Sequence, residues 1–456
     1  MRANRVVWAR GLAMYALPLG IFAFLVPQAM ATAWLFDDWL ALELLLLALL
    51  AIVSYLVALA ASMSWGKPRQ LALVGLRRVL FHGLWIVYFA SYLGLCANLG
   101  YVPLLQYMQH GGDAGVMRAD FYKVEGLPWA LFAYVQSIFN KGFVPFAIVA
   151  VFATVRSVRA FLWLAIVSVV LISAFEKALI AWAYIPLLFY FVIVRRYRAF
   201  MLALLMFGSF FAFVSLASLA SDLKLSSSSA PVAELHRQAN ERASYQGAEV
   251  RRRLVGTPSV SLASLADEPT YQFMLYDLRN PSPATYLLNR LVWIPFVTAY
   301  DTLLYWRLND GAMAHFSTNR HLSRLFDLNF ANLEKRVFMF QFKSGEETTG
   351  NANAFYVAEA YVAFGFAGVI LFSVLIGMIF GLIIKTGVLP FVAAVPIAAL
   401  GLISVSLIST LFSGGLLLML LLTFLFTRRR PAVPSRGCTS LYVCRNASSP
   451  WSLKLP

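Results

Sequence analysis

Long apolar stretches follow one another along most of the chain, separated by short polar or basic segments. A helix needs about 20 apolar residues to cross roughly 30 Å of hydrocarbon. This measure predicts ten crossings, which lie at 11–33, 39–62, 82–104, 130–155, 160–176, 178–194, 199–220, 354–384, 388–406 and 410–427. The pattern therefore predicts an all-α polytopic membrane protein of about ten transmembrane helices.

The crossings fall into two groups around one large loop. Residues 1–220 form a predicted N-terminal membrane bundle of seven helices, and 354–427 hold the C-terminal membrane helices. The loop, 221–353, contains a further apolar stretch at 284–306 that would make an eleventh crossing. A full crossing there would reverse the side of every later segment, so we predict an interfacial or re-entrant helix. The basic tail, 428–456, has little periodicity and is predicted to be disordered.

Composition supports the membrane assignment. Hydrophobic residues make up 61% of the 456, and charged residues make up 13%, about half the share of a soluble domain. This excludes an ordinary soluble enzyme. It also excludes a disordered chain, which would carry few apolar residues.

The distribution of charge predicts the orientation of the helices. With the N-terminus in the cytoplasm, the inner segments carry 19 Lys and Arg and no Asp or Glu. Such a bias is typical of cytoplasmic loops. It places both termini in the cytoplasm and the large loop outside the cell's inner compartment. Because topology explains the net charge of +16, no nucleic-acid partner is needed.

Two charged positions lie where the membrane should disfavour charge. Residues 160–194 must cross twice, so each helix has about 16 residues and spans about 24 Å. The turn with Glu176 and Lys177 should therefore lie below the outer surface. Lys141 must lie inside its own helix. Either these groups form a local ion pair and a snorkelling lysine, or Lys141 and Lys177 open into one outward-facing basic cavity.

Further basic residues lie in predicted outer segments, where topology does not require them. They are Arg118 in the loop 105–129, Arg290, and the group Arg320, His321 and Arg324. If the last group is helical, Arg320 and Arg324 share a face. Such a pair could bind two oxygens of a pyrophosphate. The alternative is a solvated amphipathic face.

The common catalytic motifs are absent from the sequence. It contains no HExxH, P-loop, GxSxG or EF-hand loop, and no obvious carboxylate pair for Mg²⁺. We therefore expect no cofactor and no metal. A reaction on a phosphate-bearing lipid would rely on Arg and Lys to stabilise the leaving group.

One segment has the character of a family signature. Residues 348–355 read Thr-Thr-Gly-Asn-Ala-Asn-Ala-Phe, and Tyr361, Phe364, Gly365 and Gly368 then form Y-x-x-F-G-x-x-G. The block resembles that of the Wzy-type O-antigen and exopolysaccharide repeat-unit polymerases, at the end of the large loop and the start of the next span. Read physically, Asn351 and Asn353 could cap the helix, and Gly365 and Gly368 could form a close-packing face.

The resemblance implies a GT-C-like fold and a metal-independent glycosyltransferase of the bacterial inner membrane. Such an enzyme joins undecaprenyl-pyrophosphate-linked oligosaccharides at the periplasmic face. It implies a lipid-linked substrate, and a flippase and a chain-length regulator of the same pathway as partners. The alternatives are an O-antigen ligase or other lipid-linked-glycan transferase, or a polysaccharide transporter or flippase.

On this resemblance the predicted site has two sets of residues. His321 or Glu359 is the expected base for the acceptor hydroxyl. The expected pyrophosphate- and substrate-binding residues are Arg118, Lys141, Lys177, Arg290, Arg320, Arg324, Asn351, Asn353 and Tyr361.

Overall fold

The computed structural model describes most of both membrane regions and part of the large loop. The described residues are 2–64, 69–111, 114–122, 124, 126–155, 158–228, 294–309, 311–318, 323–324, 326–342, 352 and 355–429.

The described chain is almost entirely helical. The N-terminal region contains α1 (Arg2–Phe24), α2 (Val26–Phe36), α3 (Trp39–Ser64), α4 (Leu76–Leu99), α5 (Pro103–His110), α6 (Ala114–Tyr122), α7 (Leu127–Ile138), α8 (Val144–Thr154), α9 (Val158–Ser173), α10 (Lys177–Val194) and α11 (Tyr197–Ser228). The later part contains α12 (Ile294–Leu308), α13 (Leu333–Phe342), α14 (Tyr356–Lys385), α15 (Leu389–Ser404), α16 (Leu407–Leu411) and α17 (Leu416–Leu425).

Within the described residues, eight helical segments are long and apolar enough to cross a membrane. Two shorter apolar helices, α9 and α15, have 16 residues each. Each of the ten predicted crossings overlaps one of these segments. The chain is thus a helical protein with several membrane-length apolar helices.

The first predicted crossing differs in detail from the structure. It is two helices, α1 and α2, with Leu25 between them in a non-helical conformation. Pro27 lies in the first turn of α2. Because proline has no N–H to donate to the carbonyl four residues earlier, it favours a break there.

Segments predicted to face the cytoplasm meet at one end of the bundle. The Arg10 guanidinium donates to the Lys385 carbonyl at 2.6 Å, and the Arg69 N–H donates to the Thr386 carbonyl at 3.2 Å. Two short strands, β1 (Arg69–Leu71) and β2 (Thr427–Arg429), pair antiparallel at this end. These strands have three residues each and leave the all-α class unchanged, and β2 includes the first two residues, 428 and 429, of the basic tail. Peptide groups at the helix ends need partners, and these two segments supply them to each other.

The core of the bundle includes close packing between α3 and α14. A side chain on Gly377 or Gly381 would collide with Tyr55 or Ser62 of α3. Gly365 and Gly368, the glycines predicted to pack closely against another helix, lie instead at a kink within α14. Gly365 has φ +62° at a kink in α14, and a side chain on Gly368 would meet the Ala360 carbonyl of the same helix. The small-residue face predicted at these two glycines therefore contacts Met313 and the preceding turn of α14 rather than a neighbouring membrane helix.

Besides the break at Leu25, three further long helical segments are interrupted. A π-helical turn at Phe139–Phe143 joins α7 to α8, α14 kinks at Phe364 and Gly365, and α16 is separated from α17 by residues 412–415. Two of these interruptions touch, since a side chain on Gly142 would lie 2.5 Å from the Gly415 carbonyl oxygen.

Helix α12 packs across the opposite end of the bundle from the strands. The Tyr300 hydroxyl donates to Asp38, whose other carboxylate oxygen caps the first turn of α3. Arg307 pairs with Glu43 of α3. Helix α12 is the described part of the predicted interfacial segment 284–306, and its 15 residues span about 22 Å.

Candidate functional site

The turn between α9 and α10 lies inside the protein. Ala174 and Phe175 are each 2% exposed, and Phe175 adopts a left-handed conformation with φ +51°. The Tyr107 ring of α5 packs against Phe175 at a centroid distance of 5.2 Å. The loop predicted at 105–129 therefore contains α5 and α6, which fold over this turn. Because α9 and α10 are short, the turn between them lies low enough to be covered.

The turn brings together charges from two chain segments. The Lys141 ammonium lies 3.9 Å from a carboxylate oxygen of Glu176, and Lys177 begins α10 next to it. Both members of the ion pair keep about a quarter of their side-chain surface exposed. Lys141 thus has a partner, and the side chains of both Lys141 and Glu176 remain partly exposed.

Lys141 lies in the π-helical turn, and the sequence explains the turn. Pro145 has no N–H to donate to the Lys141 carbonyl, and its ring would crowd that carbonyl, which disturbs the helix at this turn. The Val144 N–H donates to the Phe139 carbonyl, five residues earlier, rather than to the Asn140 carbonyl four residues earlier. Such single π-turns are frequent at functional sites.

A buried polar network continues from this ion pair into the bundle. The Tyr88 hydroxyl donates to Asn140 at 2.9 Å, and the Ser91 hydroxyl donates to Gln136 at 2.8 Å. Tyr122 of α6 hydrogen-bonds Asn140 and lies near Glu176. Sequence reasoning missed these residues. Gln136 and Asn140, spaced by four in an apolar helix, were the available signal.

Arg118 belongs to the same cluster. It lies one helical turn from Tyr122 on α6 and interacts electrostatically with the tyrosine hydroxyl. Burial raises the pKa of Tyr122, and the charge of Glu176 raises it further. Tyr122 is therefore a neutral hydrogen-bonding group. Arg118 is exposed and close enough to Tyr122 to lower its pKa, and Lys177 follows Glu176 in the chain, so these two predicted cations neighbour the Lys141–Glu176 pair.

The predicted base Glu359 lies in a second cluster at the start of α14. It is 5% exposed, and its carboxylate accepts a hydrogen bond of 2.9 Å from the Leu407 N–H. Glu334 of α13 lies close to Ser406 and lines the same small cavity as Glu359. Burial raises the pKa of Glu334, and the proximity of Ser406 lowers it less. Glu334 was not predicted.

Tyr361 supports the packing of α12. Its hydroxyl donates to Glu43 at 2.8 Å, and its ring packs edge-on against Trp306 at 5.3 Å. Glu43 also pairs with Arg307. Tyr361 therefore joins three helices at the end of the bundle where α12 lies.

Of the remaining predicted site residues, one lies within the described residues: Arg324, which is exposed. The others lie outside the described residues; they are Arg290, Arg320, His321, Asn351 and Asn353. The cap of α14 is Phe355, so the prediction that one of the two asparagines caps this helix was wrong. Phe355 and Tyr356 are almost fully buried, and their burial fixes where the helix begins.

A ten-residue segment connects the two clusters. Ser406 and Leu407 contact the two glutamates at one end, and Gly415 packs against Gly142, the neighbour of Lys141, at the other. One short helical turn and four further residues separate these contacts, which places them within about 20 Å of each other. The carboxylates thus lie at one end of this ten-residue segment, and the glycine contact beside Lys141 lies at its other end, where α16 and α17 are separated.

Comparisons with protein-family models, curated proteins and solved structures found no match to the chain. Within the part of the chain that the structure describes, no group of three or more His, Cys, Asp or Glu could hold a metal ion.

Proposed function

We propose that the protein is a membrane-embedded glycosyltransferase that polymerises lipid-pyrophosphate-linked oligosaccharide repeat units at the outer face of the inner membrane. The observation that carries the proposal is the convergence of Arg118, Lys141 and Lys177 around the buried turn of α9 and α10. The sequence block at 348–368, which resembles that of repeat-unit polymerases, supports the same function.

The charge of this cluster suits a pyrophosphate leaving group. Three cations and Glu176 leave a formal charge of about +2, and the site lies beside apolar helices where a lipid tail could enter. Electrostatic interactions are stronger in such surroundings than in water. The departing pyrophosphate would take its charge into this cluster, and the carboxylates near α16 would receive the proton of the acceptor hydroxyl.

A polysaccharide transporter or flippase is the second candidate. Interrupted helices are typical of transporters, which use them to build a binding site near the membrane midplane. Four helical segments of the described chain are interrupted, and two of the interruptions touch through Gly142 and Gly415. The same cationic cluster would then bind the lipid pyrophosphate during transport.

A deletion strain separates these functions. If the protein is a polymerase, the strain loses long polysaccharide, and single repeat units still reach the outer face. If it is a ligase, polymer remains on its lipid carrier. Lipid-linked units trapped on the cytoplasmic side would support the transporter and contradict the polymerase, and unchanged polysaccharide would contradict all three.

A further inference from the structure

A small cavity lies where α12, α13 and the start of α14 meet. Thr302, Glu334 and Glu359 line it, together with apolar side chains that include Leu333 and Phe355. It has room for about one water-sized group. A sugar hydroxyl is a group of this size.

The two carboxylates of the cavity are held differently. Glu359 is 5% exposed, and one of its oxygens accepts from the Leu407 N–H. Its second oxygen has no hydrogen-bond partner among the described residues, although the side chain is nearly buried and borders the cavity. That oxygen is available to a hydroxyl group or to a shared proton.

Glu334 is the more accessible carboxylate. It is partly exposed, whereas Glu359 is buried. The Ala352 N–H donates to the Glu334 carbonyl at 3.0 Å, which attaches α13 to the block that precedes α14. Glu334 is therefore positioned by Ser406 and Ala352 and faces a group that enters from the loop side.

Among the described residues that line the cavity beside Glu334, none carries a positive charge. Glu359 faces it from α14, Thr302 from α12 and Ser406 from the start of α16. Of the residues that line the cavity, the two glutamates are the ionisable ones. Lys335 and Arg336 follow Glu334 on its own helix but are not part of the lining. Two like charges at one site disfavour joint ionisation, so the pair titrates as a unit.

We propose that Glu334 accepts the proton of the acceptor hydroxyl and that Glu359 is a positioning residue beside it. This inference rests on the proposed polymerase function, and it assigns the base to a residue that sequence reasoning did not select.

The reaction balances with these groups. The hydroxyl oxygen of the incoming unit forms a bond to the anomeric carbon of the growing glycan. The bond from that carbon to the pyrophosphate oxygen breaks, and the pyrophosphate leaves with the electron pair. The hydroxyl proton passes to the Glu334 carboxylate. Burial raises the pKa of Glu334, which brings this carboxylate closer to the range where a general base works best.

The test uses the full-length protein in membrane vesicles with lipid-linked repeat units extracted from the deletion strain. We expect Glu334→Gln to slow the appearance of long polymer by about 100-fold or more, because general-base catalysis contributes that much. Asp327→Asn, at an exposed acid with a left-handed backbone that Asn tolerates, is the matched control and should polymerise like the wild type.

Variants of Glu359 separate positioning from charge. The more deeply buried Glu359 is the neutral member of the pair while Glu334 carries its single charge, so Gln keeps both the oxygen that accepts from the Leu407 N–H and the neutral state. We therefore expect Glu359→Gln to keep the acid limb of the pH–rate profile in place and activity within about tenfold of the wild type, whereas Glu359→Ala, which removes the acceptor, should lower activity further.

The outcomes distinguish the two proposals. If deletion leaves polysaccharide unchanged, the polymerase proposal fails. If wild-type vesicles form polymer and Glu334→Gln vesicles form it equally fast, the assignment of Glu334 alone is wrong. An acid limb that moves to lower pH in Glu359→Gln contradicts the assignment of the single charge to Glu334, and equal activity in Glu359→Gln and Glu359→Ala contradicts the positioning role of Glu359.

Discussion

Lys141 shows how one charged side chain is accommodated inside an apolar bundle. It pairs with Glu176 across two chain segments, and the neighbouring Asn140 is held by Tyr88 and Tyr122. A partly exposed ion pair contributes little to stability, typically less than about 1 kcal/mol. A role in binding an anionic ligand explains the placement of Lys141 better than stability does.

Substitutions of this ion pair separate binding from helix attachment. We expect Lys141→Ala to lower the rate of polymer formation by about 100-fold without changing the amount of protein. Removal of one hydrogen-bond donor to a developing negative charge has an effect of this size in other enzymes. Glu176→Gln should retain most of the activity, because the glutamate is a counter-ion and the lysine contacts the substrate. Polymer length and rate in membrane vesicles provide the measurement.

Arg78→Ala, at an exposed residue near the opposite end of the bundle, is the control. Equal losses in Lys141→Ala and Glu176→Gln, with no further loss in the double variant, would show that the pair merely ties the helices together.

At the scale of elements, the interruptions of the helices position both clusters. The π-turn follows from Pro145, the kink in α14 from Gly365 at φ +62°, and the break after α16 brings Gly415 against Gly142. Contact between two glycine backbones leaves no room for a side chain. The packing of the cationic cluster against α16 and α17 therefore depends on both glycines.

A single methyl group tests this contact. Gly142→Ala would place Cβ 2.5 Å from the Gly415 carbonyl oxygen, and overpacking of this kind costs about 1–3 kcal/mol. We expect a lower thermal midpoint in detergent and weaker polymerisation. Gly83→Ala, in α4 with open space around it, should leave the midpoint unchanged or raise it. Equal midpoints for the two variants would show that the contact is unimportant.

The elements also show what could be predicted from the sequence. The apolar segments were located well, because length and hydropathy are local properties; every predicted crossing overlaps a helix. The folding of α5 and α6 over Phe175 was missed, since it depends on contacts between distant segments. Glu334 was missed for the same reason: its sequence neighbours Lys335 and Arg336 suggest a solvated helix, and only the approach of Ser406 and Glu359 reveals the cavity.

At the scale of the whole molecule, the described helices have two distinct ends. Arg10, Arg69, Lys385 and the strands meet at one end, and α12 with its contacts to Asp38 and Glu43 covers the other. The structure groups the segments at two ends as the charge pattern predicts. The assignment of one end to the cytoplasm comes from the charge pattern alone. The proposed reaction belongs to the end that carries α12 and α13, where lipid-linked units would meet the large loop.

Reconstitution of the purified protein tests the central claim most directly. Lipid-linked repeat units from the deletion strain would be incorporated into proteoliposomes that contain this protein alone, with a chelator present, and the products would be separated by length. We expect a ladder of products that grows by whole repeat units and is lost in Lys141→Ala. Units that cross the bilayer without joining would contradict the polymerase function and would identify the protein as a transporter.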